Sequence, residues 1–208
     1  CLPAFNEEIT LKPTIDHIKK YLPDYQIIVY DNGSTDKTSY IAKLHADQYY
    51  YVPKKGKGNV FKKIISETND EFIIMTDADN TYNFKNISEI IKIFNDNQLN
   101  TLIGKRNYIK SKKINKFRFF SNKKFNFIFN LFFSSEFKDI CSGFRVIRIK
   151  DFKDYKFQSN GFEIETELNI LIAKRKLKYI EYNIDYIERS DSKSKLRSFI
   201  DGPKIIIF

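Results

Sequence analysis

A chain of 208 residues that is 42% hydrophobic is long enough for one α/β domain with a full core and too apolar to be disordered. Its 36 Lys and Arg against 26 Asp and Glu leave a formal charge of +10, which calls for an anionic partner without choosing among nucleic acid, phosphorylated substrates and membrane. Cys1 and Cys141 are too few for a disulfide framework, His17 and His45 give no zinc spacing, and neither a signal peptide nor a membrane-spanning run is visible, so a reducing cytosolic setting is the default.

Leu2-Pro3 reads as the end of a strand, and the spacing predicts a helix over Leu11 to Tyr21, with Pro13 in its first turn where a missing N–H costs least. Gln26 to Tyr30 is a predicted strand, after which Thr35 or Asp36 caps a helix to about Ala46. A strand over Gln48 to Val52 precedes a helix over Asn59 to Thr68, whose Val60, Phe61, Ile64 and Ile65 share a face. Phe72 to Thr76 is a strand, Ile87 to Phe94 an amphipathic helix, and Thr101 to Gly104 a strand. Phe162 opens a helix whose apolar members continue through Ile170, Leu171 and Ile172, and the Ser-rich stretch from Arg189 reads as a loop. The apolar close Ile205-Ile206-Ile207-Phe208 suggests a further, membrane-associated helix beyond it.

This alternation predicts an α/β fold with a mostly parallel central sheet covered on both faces, in one domain over residues 1–208. Ligands of such sheets bind beyond the carboxyl ends of the strands, which sets the Asp31 and Asp77 loops along one crevice. Asp77 and Asp79 follow a buried strand two positions apart, and in extended backbone both carboxylates face one small volume. Two like charges that close call for a cation, and hard oxygen ligands suit Mg²⁺ or Mn²⁺. The same two acids could instead simply cap a loop or helix. Asp31-Asn32-Gly33-Ser34-Thr35-Asp36 joins a strand end to a helix start, with Gly33 permitting the tight turn. Lys55-Gly56-Lys57-Gly58-Asn59 lacks the Gly-Lys-Ser/Thr ending of a P-loop and is otherwise a basic turn.

In order and spacing, Leu2-Pro3-Ala4-Phe5-Asn6-Glu7-Glu8, the Asp31 turn, the Lys55 turn, Asp77/Asp79, Gly104-Lys105-Arg106, Asp139-Ile140-Cys141-Ser142-Gly143-Phe144-Arg145 and Arg189 with Ser194-Lys195-Leu196 form one set. The set resembles the family-2 glycosyltransferases of GT-A fold, and within them the branch of dolichyl-phosphate mannosyltransferase and bacterial polyprenyl-phosphate glycosyltransferases. The resemblance implies a Rossmann-like three-layer fold and an inverting, metal-dependent transfer from a UDP- or GDP-sugar to a polyprenyl phosphate at the cytoplasmic face of a membrane. In the family a strand precedes the Pro3 position, which implies that a first strand lies upstream of Cys1.

By resemblance, Asp31, Gly33, Glu7 and the backbone of Pro3, Ala4 and Phe5 meet the nucleotide. Lys57 helps neutralise the diphosphate, and Asp79 ligates the metal directly with Asp77 beside it. Thr81 stands where a related pattern has Gln, and its hydroxyl could serve only as a weak third ligand. Arg106 is a clamp for the diphosphate or the acceptor phosphate, Asp139 a base or a group that orients Arg145 or the acceptor, and Ser142 and Arg145 bind substrate from the same Asp139-to-Arg145 motif. Glu163 and Glu165 rank behind these, while Arg189 and Lys195 hold phosphate. The alternatives are transfer to a sugar hydroxyl of a surface polysaccharide, which would make Asp139 a true base, or a basic module without catalysis.

From Lys105 to Phe133 the chain turns both basic and aromatic: Lys110, Lys112, Lys113, Lys116, Arg118, Lys123 and Lys124 interleave with Phe117, Phe119, Phe120, Phe125, Phe127, Phe129, Phe132 and Phe133. Phe on more than one face suits an interfacial helix docked on a membrane. A core helix with Lys on its wet side, or a single-stranded nucleic-acid platform, would share the composition. No nucleic-acid motif accompanies the run, so nucleic acid is not expected as a partner.

Overall fold

Neighbouring residues in the central strands serve opposite layers: Val29, Leu102 and Val146 pack into one core cluster, while Tyr30, Ile103 and Ile147 pack into the other. That period of two is what a sheet buried on both faces demands. The computed structural model describes residues 1–108 and 116–187, with side chains for 1–107 and 122–187. Its strands are β1 (Leu2–Ala4), β2 (Ile28–Asp31), β3 (Gln48–Tyr51), β4 (Phe72–Met75), β5 (Thr101–Tyr108), β6 (Arg145–Arg148) and β7 (Tyr179–Tyr186). Its helices are α1 (Leu11–Tyr21), α2 (Thr38–His45), α3 (Lys57–Glu67), α4 (Ile87–Asp96), α5 (Lys116–Phe133) and α6 (Ile164–Lys174).

The strands run β3-β2-β1 and β4-β6-β5-β7. Cys1 N donates to Ile74 O at 2.7 Å and Thr76 N to Cys1 O at 3.2 Å, which joins β1 to β4 in parallel and makes the two sheets one. β6 alone runs antiparallel to its neighbours, so the sheet is mostly parallel as expected. Helices α1, α2 and α4 cover one face through Leu11, Ile15, Ala42, Ile87, Ile90 and Phe94. The opposite face is covered by α3, α5 and α6 through Phe61, Ile64, Phe129, Ile164 and Leu168. Each such side chain contributes roughly 1.5–3 kcal/mol when fully buried.

The departures from the predicted elements have local causes. α2 starts at Thr38 because Asp36 accepts from both the backbone N and the hydroxyl of Thr38, which keeps the preceding residues in a turn. Gly56, at φ +119°, lets α3 begin at Lys57, ahead of the expected Asn59. β5 continues to Tyr108 because β7 pairs with it along the whole length. β6 and β7 were not expected from the sequence. No helix among the described residues is long and apolar enough to cross a membrane.

Candidate active site

The first wall of the site is a knot between the turn after β1 and the turn after β2. Asn6, in the left-handed region at φ 51°, donates from its N to Ser34 Oγ and accepts from Thr35 N. Glu7 N donates to Thr38 Oγ1, and the buried Glu7 carboxylate accepts from Thr10 Oγ1 at 2.7 Å. Asn32 N donates to Ala4 O, and the Asn32 side chain bonds Val52 O, Lys54 O and Gly56 N, tying this turn to the Lys55 turn. Gly33 sits at φ +75°, and Lys55 Nζ lies 5.1 Å from the centre of the Phe5 ring. Asp31 was expected to meet a nucleotide, yet it is fully buried and accepts from Ser34 N, Ser39 Oγ and Tyr49 Oη. In this conformation its carboxylate holds the turn rather than facing a ligand.

The second wall is built on glycines, for reasons other than phosphate binding. A Cβ on Gly56 would stand 2.1 Å from Asn160 O, and one on Gly58 2.4 Å from Ser159 O. The 159–161 backbone can therefore lie against the turn, with Gly58 N donating to Gly161 O. That packing aims Lys57 inward, where its Nζ lies 2.5 Å from Asp77 Oδ1 and 2.7 Å from Glu165 Oε1. Burial acts to lower the Lys57 pKa, but the two carboxylates outweigh it and hold the ammonium above its ordinary value. Burial raises Glu165, with Lys57 opposing and Asp77 reinforcing the shift.

The three glutamates at the start of α6 have separate tasks. Glu163 accepts from Asn160 N and Gly161 N, and Glu167 from Gln158 N and Ser159 N, while Glu165 reaches Lys57 in the site.

Asp77 and Asp79 lie in a bend past the end of β4, so strand alternation is not what orients them. Ala78 O accepts from Thr14 Oγ1 of α1, which anchors the bend. Thr81 donates to Asp79 Oδ1 from its hydroxyl at 2.6 Å, which engages the oxygen considered above as a weak third ligand. On the other side, a Cβ on Gly143 would stand 2.2 Å from Asp77 Oδ2. No cluster of three or more His, Cys, Asp or Glu among the described residues could hold a metal. Two carboxylates in a site of hard oxygens fit Mg²⁺ or Mn²⁺, which bind through one or two carboxylates and fill the remaining positions with water and substrate phosphate.

The third wall joins β5, β7 and the 137–145 segment. Arg106 donates to Asp139 from Nε at 2.8 Å, Nη2 at 2.7 Å and its backbone N at 3.1 Å, while its guanidinium lies over the Tyr186 ring. Glu181 accepts from the backbone N of Lys138 and Asp139, and burial raises its pKa. Tyr82 Oη lies 3.4 Å from Ser142 Oγ and accepts from Gly143 N at 3.1 Å, which links the acidic bend to this motif.

Ser142 and Arg145, expected at the acceptor, are wholly buried below it. Ser142 donates to Gly104 O, and Arg145 Nη2 reaches Ile140 O and Glu165 O. Their place is the floor of the site because β6 begins at Arg145 and runs into the core. Arg189 and Lys195 lie outside the described residues. Glu165, a second-rank candidate from the sequence, is a direct partner of Lys57, and Tyr82, Glu181 and Asn32 join the site without having been expected there. Only the run of three acids at 163, 165 and 167 offered a signal for any of them.

A family model, "Glycosyl transferase family 2", matches residues 1–156. The chain is a family-2 glycosyltransferase. This glycosyltransferase is 34% identical over 105 residues to protein RfbJ of Shigella flexneri, covering 50% of the chain and 81% of the relative. It is 29% identical over 135 residues to the human dolichyl-phosphate beta-glucosyltransferase, covering 54% of the chain and 42% of that protein. Its fold matches Mycobacterium tuberculosis glucosyl-3-phosphoglycerate synthase, solved with Mn²⁺ and uridine-diphosphate-glucose, at a TM-score of 0.72 and 18% identity, covering 99% of the chain and 74% of that structure. The GT-A expectation is thereby met.

Proposed function

We propose that this glycosyltransferase transfers a hexose, with inversion, from a UDP- or GDP-sugar to a polyprenyl phosphate at a membrane surface. The observation that carries the choice of acceptor is the bidentate grip of Arg106 on Asp139. A sugar hydroxyl needs a base in the transition state. Both oxygens of Asp139 already accept N–H groups from a guanidinium, so the pair is poorly suited to that task. A phosphate oxygen is ionised near neutral pH and needs positioning and positive charge instead. Arg106, held by Asp139, would place that oxygen, and Glu181, accepting from the backbone N of residues 138 and 139, fixes where the pair stands. The human dolichyl-phosphate beta-glucosyltransferase among the relatives supports the same class of acceptor.

In this reading, the backbone of Pro3 to Phe5 and the turn at Gly33 border the nucleotide, with Glu7 and Asp31 holding those turns in shape. Asp77 and Asp79 would hold Mg²⁺ or Mn²⁺, which takes up negative charge on the departing diphosphate when bound. Lys57 keeps Asp77 in place against Glu165 rather than reaching the diphosphate itself. The acceptor oxygen attacks the anomeric carbon as its bond to the diphosphate breaks. Arg189 and Lys195, outside the described residues, would contribute positive charge for the phosphates.

A donor screen with either metal ion and a short polyprenyl phosphate, following release of nucleoside diphosphate, tests the reading. Asp139→Asn should then lower kcat less than the 10²–10⁴-fold that loss of a general base costs, to order of magnitude. Turnover confined to sugar hydroxyls, with Asp139→Asn falling in that range, would overturn the choice of acceptor.

A further inference from the structure

α5 presents two different faces over its described side chains. Phe125, Phe129 and Phe133 point inward, where Phe129 is buried against Phe133 and Phe137. On the outward side, Phe127, Leu131 and Phe132 are 70%, 71% and 78% exposed. A spacing of four residues puts Phe127 and Leu131 on one flank of the helix, Lys123 and Lys124 stand exposed one turn earlier on that side, and Phe132 is exposed about 100° further round, beside Leu131. Large apolar side chains in a contiguous exposed group mark an interaction surface.

The same helix holds the acceptor motif. Asn126 Nδ2 donates to Lys138 O and Asn126 Oδ1 accepts from Ile140 N. Asn130, one turn on, donates to Phe137 O and accepts from Phe137 N. Asp139, with Arg106 on its carboxylate, is thus strapped to the helix that carries the exposed patch.

We infer that the outer face of α5 docks on an anionic bilayer surface, with Phe127, Leu131 and Phe132 entering the acyl boundary and Lys123 and Lys124 meeting the headgroups. Apolar residues flanked by lysines match the chemistry of that boundary. Resting on the polyprenyl-phosphate reading, the inference adds a task for the two asparagines: they fix the height of Arg106 and Asp139 above the lipid plane.

The test is co-sedimentation of the full chain with phosphatidylcholine vesicles, with and without phosphatidylglycerol, at low and high salt. Binding should require the anionic lipid and weaken with salt. Replacing Phe127, Leu131 and Phe132 together by Ser should weaken it by at least about tenfold, with thermal melting unchanged because all three are exposed. Lys123→Glu with Lys124→Glu should abolish the preference for anionic lipid and guards against a folding defect in the first variant. Unaltered binding by both variants, or no vesicle binding by the parent, would overturn the docking face. So would a change of oligomeric state in the Ser variant without vesicles, which would make the patch a contact between copies. Turnover of a short, soluble polyprenyl phosphate is scored separately. Should that acceptor fail with every donor while vesicle binding behaves as described, the acceptor reading falls and the docking face stands.

Discussion

Lys57→Met removes the one ammonium that separates Asp77 from Glu165, and its effect follows from burial. The Lys57 and Glu165 side chains are 8% and 9% exposed and that of Asp77 34%. Without the cation, a buried carboxylate loses its partner and faces a second carboxylate. Breaking a buried pair from one side costs about 3–5 kcal/mol, and the partial exposure of Asp77 favours the lower end. For a domain of this size, about 3 kcal/mol lowers Tm by roughly 6–12 °C. Glu165→Gln added to Lys57→Met removes the stranded charge, so the double variant should melt above the single one.

The pH dependence carries a sign. A carboxyl whose pKa is raised on folding contributes stability that is complete below its unfolded value and is lost as pH rises through the folded value. Glu165 is raised by burial and Lys57 opposes the shift, so removing Lys57 should steepen the loss of stability as pH rises above the ordinary glutamate value of 4.5. The double variant should lack this slope. Thermal melts by circular dichroism across the acidic range read both effects. A Lys57→Met protein with parental Tm and pH slope, or a double variant less stable than the single, would refute the charge argument.

Gly143→Ala puts a Cβ 2.2 Å from Asp77 Oδ2 while Lys57 restrains the other oxygen. The carboxylate must then shift, and turnover should fall about 10²-fold for a displacement near 1 Å, with Tm little changed. Tyr82→Phe strands the buried Gly143 N–H, with an expected loss of about 1–3 kcal/mol in a denaturant melt. Burial pushes the Cys141 thiol up to about 12, so iodoacetamide at mildly alkaline pH should leave Cys141 unlabelled in the native protein and label it after unfolding, as read by peptide mass spectrometry.

The helices legible in the sequence were those whose burial is periodic. α1 runs from Leu11 to Tyr21 as predicted because Leu11, Ile15 and Ile18 line one face. β6 was hidden because four residues bounded by arginines carry no alternation, and one of those arginines is wholly buried. β7 does alternate at Tyr179, Glu181, Asn183 and Asp185, but its acids masked a strand that lies on the sheet edge beside β5. In the site, the acidic pair was visible because it follows directly on a buried strand. The partner that fixes Lys57 was not, since Glu165 stands 108 residues away and only the packing of Gly56 and Gly58 against residues 159–161 brings them together. The glycines advertise a phosphate loop while serving a backbone contact. Sequence spacing reports local geometry, and these pairings depend on which strands become neighbours.

The site keeps its acids in two compartments with different counter-charges. Asp77 and Glu165 share Lys57, a compact ammonium whose bonds can rearrange around an arriving cation. Asp139 has Arg106, a planar fork held by two side-chain hydrogen bonds and by the Arg106 backbone N, with Glu181 fixing the chain on the far side. Tyr82 is the joint: its hydroxyl receives Gly143 N, and burial raises its pKa, with Arg106 opposing that shift and Asp77 reinforcing it. On the acceptor reading proposed above, this asymmetry would suit a transfer in which charge leaves from one side and is already present on the other. The adaptable lysine would stand beside the departing charge, and the rigid guanidinium where an anion has only to be placed.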